Sequence, residues 1–179
     1  MLSLAVVASI LGILTIGAGL FMVGAPALVR RGVESFPRSV WPGRILLAVD
    51  MVWSAYAVTQ MHLGGFDAAK VHLYWLAPLC IILGCLYLDD LLSVRALGGL
   101  LLLVAGPLLG IARFHPSAWR LVITVMCYLW IIAGLFWVLE PWWFRRVGSL
   151  IRSDSAMRAC GAVKTLAGIG FIILAITVY

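Results

Sequence analysis

Charged residues are scarce in this sequence. Acidic and basic residues together make up 11% of its 179 residues, whereas soluble domains carry about 25%. Hydrophobic residues make up 64%, and almost nothing is left over from which a soluble domain could form. The composition therefore excludes a water-soluble globular protein and indicates a single domain, residues 1–179, that lies entirely in a membrane.

The sequence also lacks the short motifs typical of common enzyme classes. It contains no HExxH zinc motif, no GxSxG nucleophile motif, no phosphate-binding glycine loop and no CxxC pair. These absences weigh against an enzyme, and they leave the identity of any cofactor open.

Long apolar runs are what the sequence has in abundance. A helix needs about 20 apolar residues to cross roughly 30 Å of hydrocarbon. The runs are continuously apolar, which favours helices over the alternating strands of a membrane barrel. The sequence therefore predicts an all-α, polytopic transmembrane helical bundle. Its six predicted spans are residues 4–24, 45–63, 71–88, 96–112, 121–139 and 159–178.

Basic residues are distributed unevenly between the two sides of this six-span scheme. One side has Lys70, Arg113 and Arg120. The other side has Arg30, Arg31, Arg38, Arg44, Arg95, Arg145, Arg146, Arg152, Arg158 and Lys164. Because lysine and arginine favour the cytoplasmic side, we expect both termini on the non-cytoplasmic side of the membrane. The net charge of +6 then indicates attraction to membrane lipids, not to nucleic acid.

The two terminal hairpins contain similar sequences. Residues 16–31 read IGAGLFMVGAPALVRR, and residues 131–146 read IIAGLFWVLEPWWFRR. This similarity predicts a parallel repeat of residues 4–63 and 119–179, with a pseudo-axis along the membrane normal. The central hairpin, residues 70–113, gives no convincing match.

A short amphipathic segment follows the first span of each copy. Val33 and Phe36 lie on the apolar face of the first segment, and Phe144 and Val147 lie on that of the second. Each segment is predicted to form an interfacial helix at the cytoplasmic leaflet, so that the bundle is built of out-in-out hairpins. The arginines expected to contact lipid headgroups are Arg30, Arg31, Arg145, Arg146 and Arg152.

The hairpin motif reads G-L-F-x-V-x-x-P-x-x-x-R-R and is followed by a later arginine ahead of a second apolar span. It resembles a family of small, uncharacterised two-span bacterial inner-membrane proteins. The resemblance covers the two terminal hairpins. It implies a bacterial inner membrane and nothing about mechanism.

Two charged residues lie well inside the predicted spans. Asp50 follows Arg44 by six residues and Lys164 follows Arg158 by six, which is about 9 Å of helix in each case. Charges inside a membrane are costly and commonly functional, so this pair suggests a proton or ion relay that Ser54, one turn beyond Asp50, could extend. The structural alternative is a salt bridge between the hairpins, or a Lys164 that snorkels to the membrane surface.

Three histidines, His62, His72 and His115, lie on the outer side in this topology. Neutral imidazole binds metals and haem iron, so these histidines are candidates for a cofactor site. The alternative is an ordinary interfacial role, since His62 and His72 flank one short loop.

Three functions are compatible with these observations. The leading hypothesis is a non-catalytic structural or accessory subunit, or a scaffold, that packs against itself or against another membrane protein. The second is a small proton- or ion-coupled transporter or channel that uses Asp50 and Lys164. The third is a redox or lipid-modifying membrane subunit that uses the outer histidines.

Overall fold

The computed structural model describes residues 3–87, 91–151 and 153–179. The sequence predicts that Asp89 and Asp90 cap the start of the following helix, but these two residues and Arg152 lie outside the described residues. The described residues form 3₁₀ helices at Phe36–Arg38 and Gly64–His72. They also form the α-helices α1 (Leu4–Gly24), α2 (Pro26–Ser35), α3 (Val40–Gln60), α4 (Leu73–Tyr87), α5 (Leu92–Arg113), α6 (Arg120–Leu139), α7 (Trp142–Leu150) and α8 (Asp154–Thr177).

Five helical segments are long and apolar enough to cross a membrane. They are Leu4–Gly24, Asp67–Tyr87, Leu92–Arg113, Arg120–Leu139 and Asp154–Thr177. The helical architecture predicted from the sequence is thereby confirmed among the described residues, and the five apolar helices are compatible with a multi-pass membrane protein. The remaining predicted span corresponds to α3, a 21-residue helix that is not one of the five, since residues such as Arg44 and Asp50 lower its mean hydropathy. The six-span order stays a prediction.

Helices α1 and α8 pack antiparallel along a stripe of small residues. Gly12 and Gly19 on α1 face Gly168 and Gly161 on α8, and a Cβ atom at Gly19 would lie 2.7 Å from the Gly161 carbonyl oxygen. The two glycines of each helix are seven residues apart and so lie on one face. Small residues that let backbones approach closely favour helix association in lipid, where hydrophobic burial between helices contributes little.

Helices α5 and α6 form a second antiparallel pair of the same kind. A Cβ atom at Gly98 would lie 2.8 Å from the Gly134 carbonyl oxygen, and the converse distance is also 2.8 Å. Ala105 on α5 and Cys127 on α6 are fully buried one heptad further along the same seam. This seam continues into a core that α1 and α8 share, which includes Ala8.

Helix α4 packs against α3 as the third pair. Here Gly84 of α4 meets the side chain of Leu47, whose Cδ2 would lie 2.6 Å from a Cβ atom at Gly84. Helix α3 also packs against α5, and this contact joins the second and third pairs. The main packing contacts among the described residues therefore join helices of different predicted hairpins.

The start of α5 is held against the segment that precedes α3. Ser93 is 1% exposed, and its hydroxyl donates a hydrogen bond to the Ser39 carbonyl oxygen. Gly43 makes room for this contact, because a Cβ atom there would lie 2.8 Å from the Ser93 amide nitrogen. The hydrogen bond fixes the end of α5 nearest to α2.

Replacing Ser93 by alanine is expected to lower the free energy of unfolding by about 1–2 kcal/mol, because the hydrogen bond between the buried Ser93 and the Ser39 carbonyl is lost. Thermal unfolding in detergent, followed by tryptophan fluorescence, measures the change. The matched control is Ser35→Ala, which removes an exposed hydroxyl bound to its own helix and should change stability by less than about 0.5 kcal/mol. Equal effects of the two substitutions would contradict the role given to Ser93.

Candidate functional site: a groove at the basic end

Helices α2 and α7 lie together at one end of the bundle, which we call the basic end. The rings of Phe36 and Phe144 are 5.9 Å apart, and Val33 lies 3.3 Å from the position of a Cβ atom at Gly148. The two predicted amphipathic segments are thus helical, and they contact each other through their apolar faces. Their position at a membrane interface stays a prediction.

A groove of about 640 Å³ lies beneath α2 and α7, within the range of roughly 300–1,000 Å³ typical of small-molecule sites. Its lining comes from α1, α2, α3, α5, α7 and α8. Most of the lining is apolar, for example Phe21, Leu46, Leu97 and Met157. The groove is therefore suited to an apolar chain and not to a hydrated ion.

Three charged side chains line this groove: Arg30, Glu34 and Lys164. Arg30 Nη1 lies 2.8 Å from Asp154 Oδ1, and the two side chains are 35% and 53% exposed. Pairs this exposed contribute at most about 1 kcal/mol. Lys164 is exposed on α8, and it forms no ion pair with any described residue. The groove thus combines an apolar lining with a cation that has no acidic partner in the described ranges.

The other arginines predicted to contact headgroups are exposed at the same end. Arg31 and Arg145 are exposed. Arg146 is also exposed, and its guanidinium lies 5.9 Å from the ring centre of Trp142 and 5.2 Å from that of Trp143. These distances are typical of cation–π contacts. Headgroup binding by these side chains stays a prediction, and Arg152 lies outside the described residues.

Asp50 is 5% exposed and faces α5, where a Cβ atom at Gly99 would lie 2.8 Å from Asp50 Oδ2. Its Oδ1 is buried and has no hydrogen-bond partner. Asp50 and Lys164 do not form an ion pair within the described ranges. The Ser54 hydroxyl donates to the Met51 carbonyl oxygen of its own helix at 3.0 Å. The three predicted relay residues are therefore not joined by direct hydrogen bonds or ion pairs.

The three histidines occupy different settings. His62 and His72 are exposed. His115 Nδ1 accepts a hydrogen bond from the Ser117 amide at 3.2 Å, and the His115 ring meets Tyr179 edge-on at 5.2 Å. In residues 3–87, 91–151 and 153–179, no group of three or more His, Cys, Asp or Glu side chains could hold a metal ion. The outer histidines thus form no shared three-ligand metal site there.

Tyr179 ties the ends of several helices together opposite the basic end. Its hydroxyl donates to the Trp119 carbonyl oxygen at 2.7 Å. Burial raises the pKa of the Tyr179 phenol, so the hydroxyl stays protonated and remains a donor.

The groove is a feature that sequence reasoning missed. Leu46 and Leu97 line the groove, but an apolar residue in an apolar helix carries no signal of a cavity. The positions of two arginines did carry a signal of the helix packing. Arg95 precedes Gly98, which packs on α6, by three positions, and Arg44 likewise precedes Leu47, which packs on α4.

Neither a protein-family model nor a curated protein nor a solved structure matches this chain.

Proposed function

We propose that this protein is a non-catalytic structural or accessory subunit of a bacterial inner-membrane assembly, with both termini on the non-cytoplasmic side. The observation that carries the proposal is the exposure of α4. Only 6% of the most apolar stretch of Asp67–Tyr87, the segment that contains α4, is buried, against 17–22% for the other four candidate spans. Trp75 and Tyr87 on this helix are 80% and 81% exposed. A helix with so little intramolecular packing supports association with a second copy or with another membrane protein.

Site-specific photocrosslinking tests this proposal. A benzophenone side chain at Leu79, which is 50% exposed on α4, should give protein adducts in membranes. The same side chain at Leu166, which is 69% exposed on α8, is the matched control and should give mainly lipid adducts. Adduct mass distinguishes a second copy from a different protein. Equal yields at the two positions, or none at Leu79, would overturn the proposal.

The packing supports the predicted repeat and extends it to the central hairpin. Residues 81–87 read IILGCLY and residues 131–137 read IIAGLFW, which aligns Gly84 with Gly134. Gly19, Gly84 and Gly134 each contact a residue of a neighbouring helix, namely Gly161, Leu47 and Gly98, respectively. An arginine precedes each of these three contacted residues by three positions: Arg158, Arg44 and Arg95. We infer three copies of one hairpin, of which the central one lacks the amphipathic helix.

Proton- or ion-coupled transport is the second candidate function, and the burial of Asp50 favours it. A buried carboxylate oxygen without a hydrogen-bond partner is costly, and such groups in membranes commonly serve transport. Asp50→Asn in proteoliposomes, with an internal pH-sensitive dye, tests this function. Loss of proton flux supports it, and flux equal to that of the unchanged protein would exclude a role for Asp50 in proton transport.

A further inference from the structure

We propose that the groove at the basic end is a binding site for one anionic phospholipid, with the phosphate at Lys164 and an acyl chain along the apolar lining. This inference goes beyond the proposed function and does not depend on whether the protein has a protein partner.

The first step of the argument is the position of Lys164. It follows Asp154, which forms the ion pair with Arg30, by ten residues of α8, or about 15 Å of helix. Lys164 and Arg30 both line the groove, so the groove extends along α8 from the level of the Arg30–Asp154 ion pair to that of Lys164. A cation within an apolar helix is costly unless an anion accompanies it.

The second step is the balance of charge in the groove. Its lining has two cations, Arg30 and Lys164, and one carboxylate, Glu34. Asp154 forms an ion pair with Arg30, whereas Lys164 has no acidic partner among the described residues. An anionic headgroup at Lys164 would supply such a partner, and charge-assisted hydrogen bonds from ammonium to phosphate are stronger than neutral ones.

The third step is the lining beyond the charges. Ala18 and Phe21 of α1, Leu46 of α3 and Leu97 of α5 contribute apolar surface to the same groove. An apolar chain attached to the headgroup would cover this surface, whereas a free phosphate ion would leave it open. The combination of one cation and an extended apolar lining therefore selects an amphiphile.

The experiment measures lipid binding to the full-length protein in detergent by native mass spectrometry. The probes are phosphatidylglycerol, phosphatidylcholine and glycerol 3-phosphate. We expect phosphatidylglycerol to bind most tightly and Lys164→Gln to weaken it about tenfold, which corresponds to about 1.4 kcal/mol. Lys70→Gln removes the chain's other lysine, which pairs with Asp67 outside the groove, and should leave affinity unchanged.

A second pair of variants tests the apolar part. Ala18→Trp places a large side chain in the groove and should reduce phosphatidylglycerol binding at least about fivefold. Gly17→Trp adds the same bulk at the neighbouring position, which has open space around it, and should not affect binding. Equal affinity for the two phospholipids, equal loss in both tryptophan variants, or tight binding of glycerol 3-phosphate alone would overturn the proposal.

Discussion

Gly19→Leu is expected to lower the free energy of unfolding by about 2–3 kcal/mol, because overpacking a closed contact forces side chains or backbones to move. A Cβ atom at Gly19 would meet the backbone of α8, 2.7 Å from the Gly161 carbonyl oxygen. Backbone cannot swing aside as the end of a side chain can, so α1 and α8 must separate. For a chain of this length the melting temperature should fall by about 5–10 °C, which thermal unfolding in detergent measures.

Gly17→Leu is the matched control for this substitution. Gly17 lies on the same helix only two residues away, but nothing lies within 4 Å of a Cβ atom there. Leucine also has a higher helix propensity than glycine, so this variant should be as stable as the original protein or slightly more stable. A similar loss of stability in both variants would show that α1 and α8 do not pack through Gly19.

The contact between Asp50 and Gly99 predicts that Gly99→Ala lowers stability when the Asp50 carboxylate is present and does not lower it when the carboxylate is removed. In the original protein, Gly99→Ala would bring a methyl carbon within 2.8 Å of Asp50 Oδ2. Because the short Asp50 side chain is only 5% exposed, it has little room to move aside, and the variant should lose about 1–3 kcal/mol. In an Asp50→Ala background the carboxylate is gone. The same substitution should then be neutral or stabilising, because alanine is favoured over glycine in a helix by about 1 kcal/mol.

A double-mutant cycle in detergent measures the coupling between these two positions, which is expected to be about 1–3 kcal/mol. Gly106→Ala is the control on the same helix, since open space surrounds that position. It should be neutral or stabilising in both backgrounds. Additive effects of the Asp50 and Gly99 substitutions would mean that the Asp50 carboxylate does not face α5.

Much of the secondary structure could be predicted because apolar runs in this sequence are long and their limits are clear. The first predicted span has the same limits as α1, Leu4–Gly24. Pro26 and Pro141 indicate where α2 and α7 begin, since proline suits the first turn of a helix. Amphipathic periodicity then identifies both as helices, while α3, with its mixture of charges and small polar residues, gives the weakest signal.

Which helices pair could not be predicted, because in lipid many apolar faces are equivalent. The repeat aligned Asp50 with Lys164, but Asp50 packs on α5 and Lys164 lines the groove. A third copy of the hairpin, which we propose for the central hairpin, has a weak sequence signal for a different reason. Only 14 residues separate Gly84 from Gly98, whereas 28 separate Gly19 from Leu47, so the two halves of the central hairpin align with the first hairpin at different offsets.

The pairing of helices also bears on how many hairpins such a fold needs. Helix α1 packs on α8, α6 on α5 and α4 on α3. Each predicted hairpin therefore packs one of its two helices against each of the other two hairpins. A chain with only one such hairpin would expose both of these packing faces on its surface. It could bury them by a head-to-tail association, which closes a cyclic assembly when the rotation allows. Three separate chains in a ring would then reproduce the contacts that this protein makes within one chain.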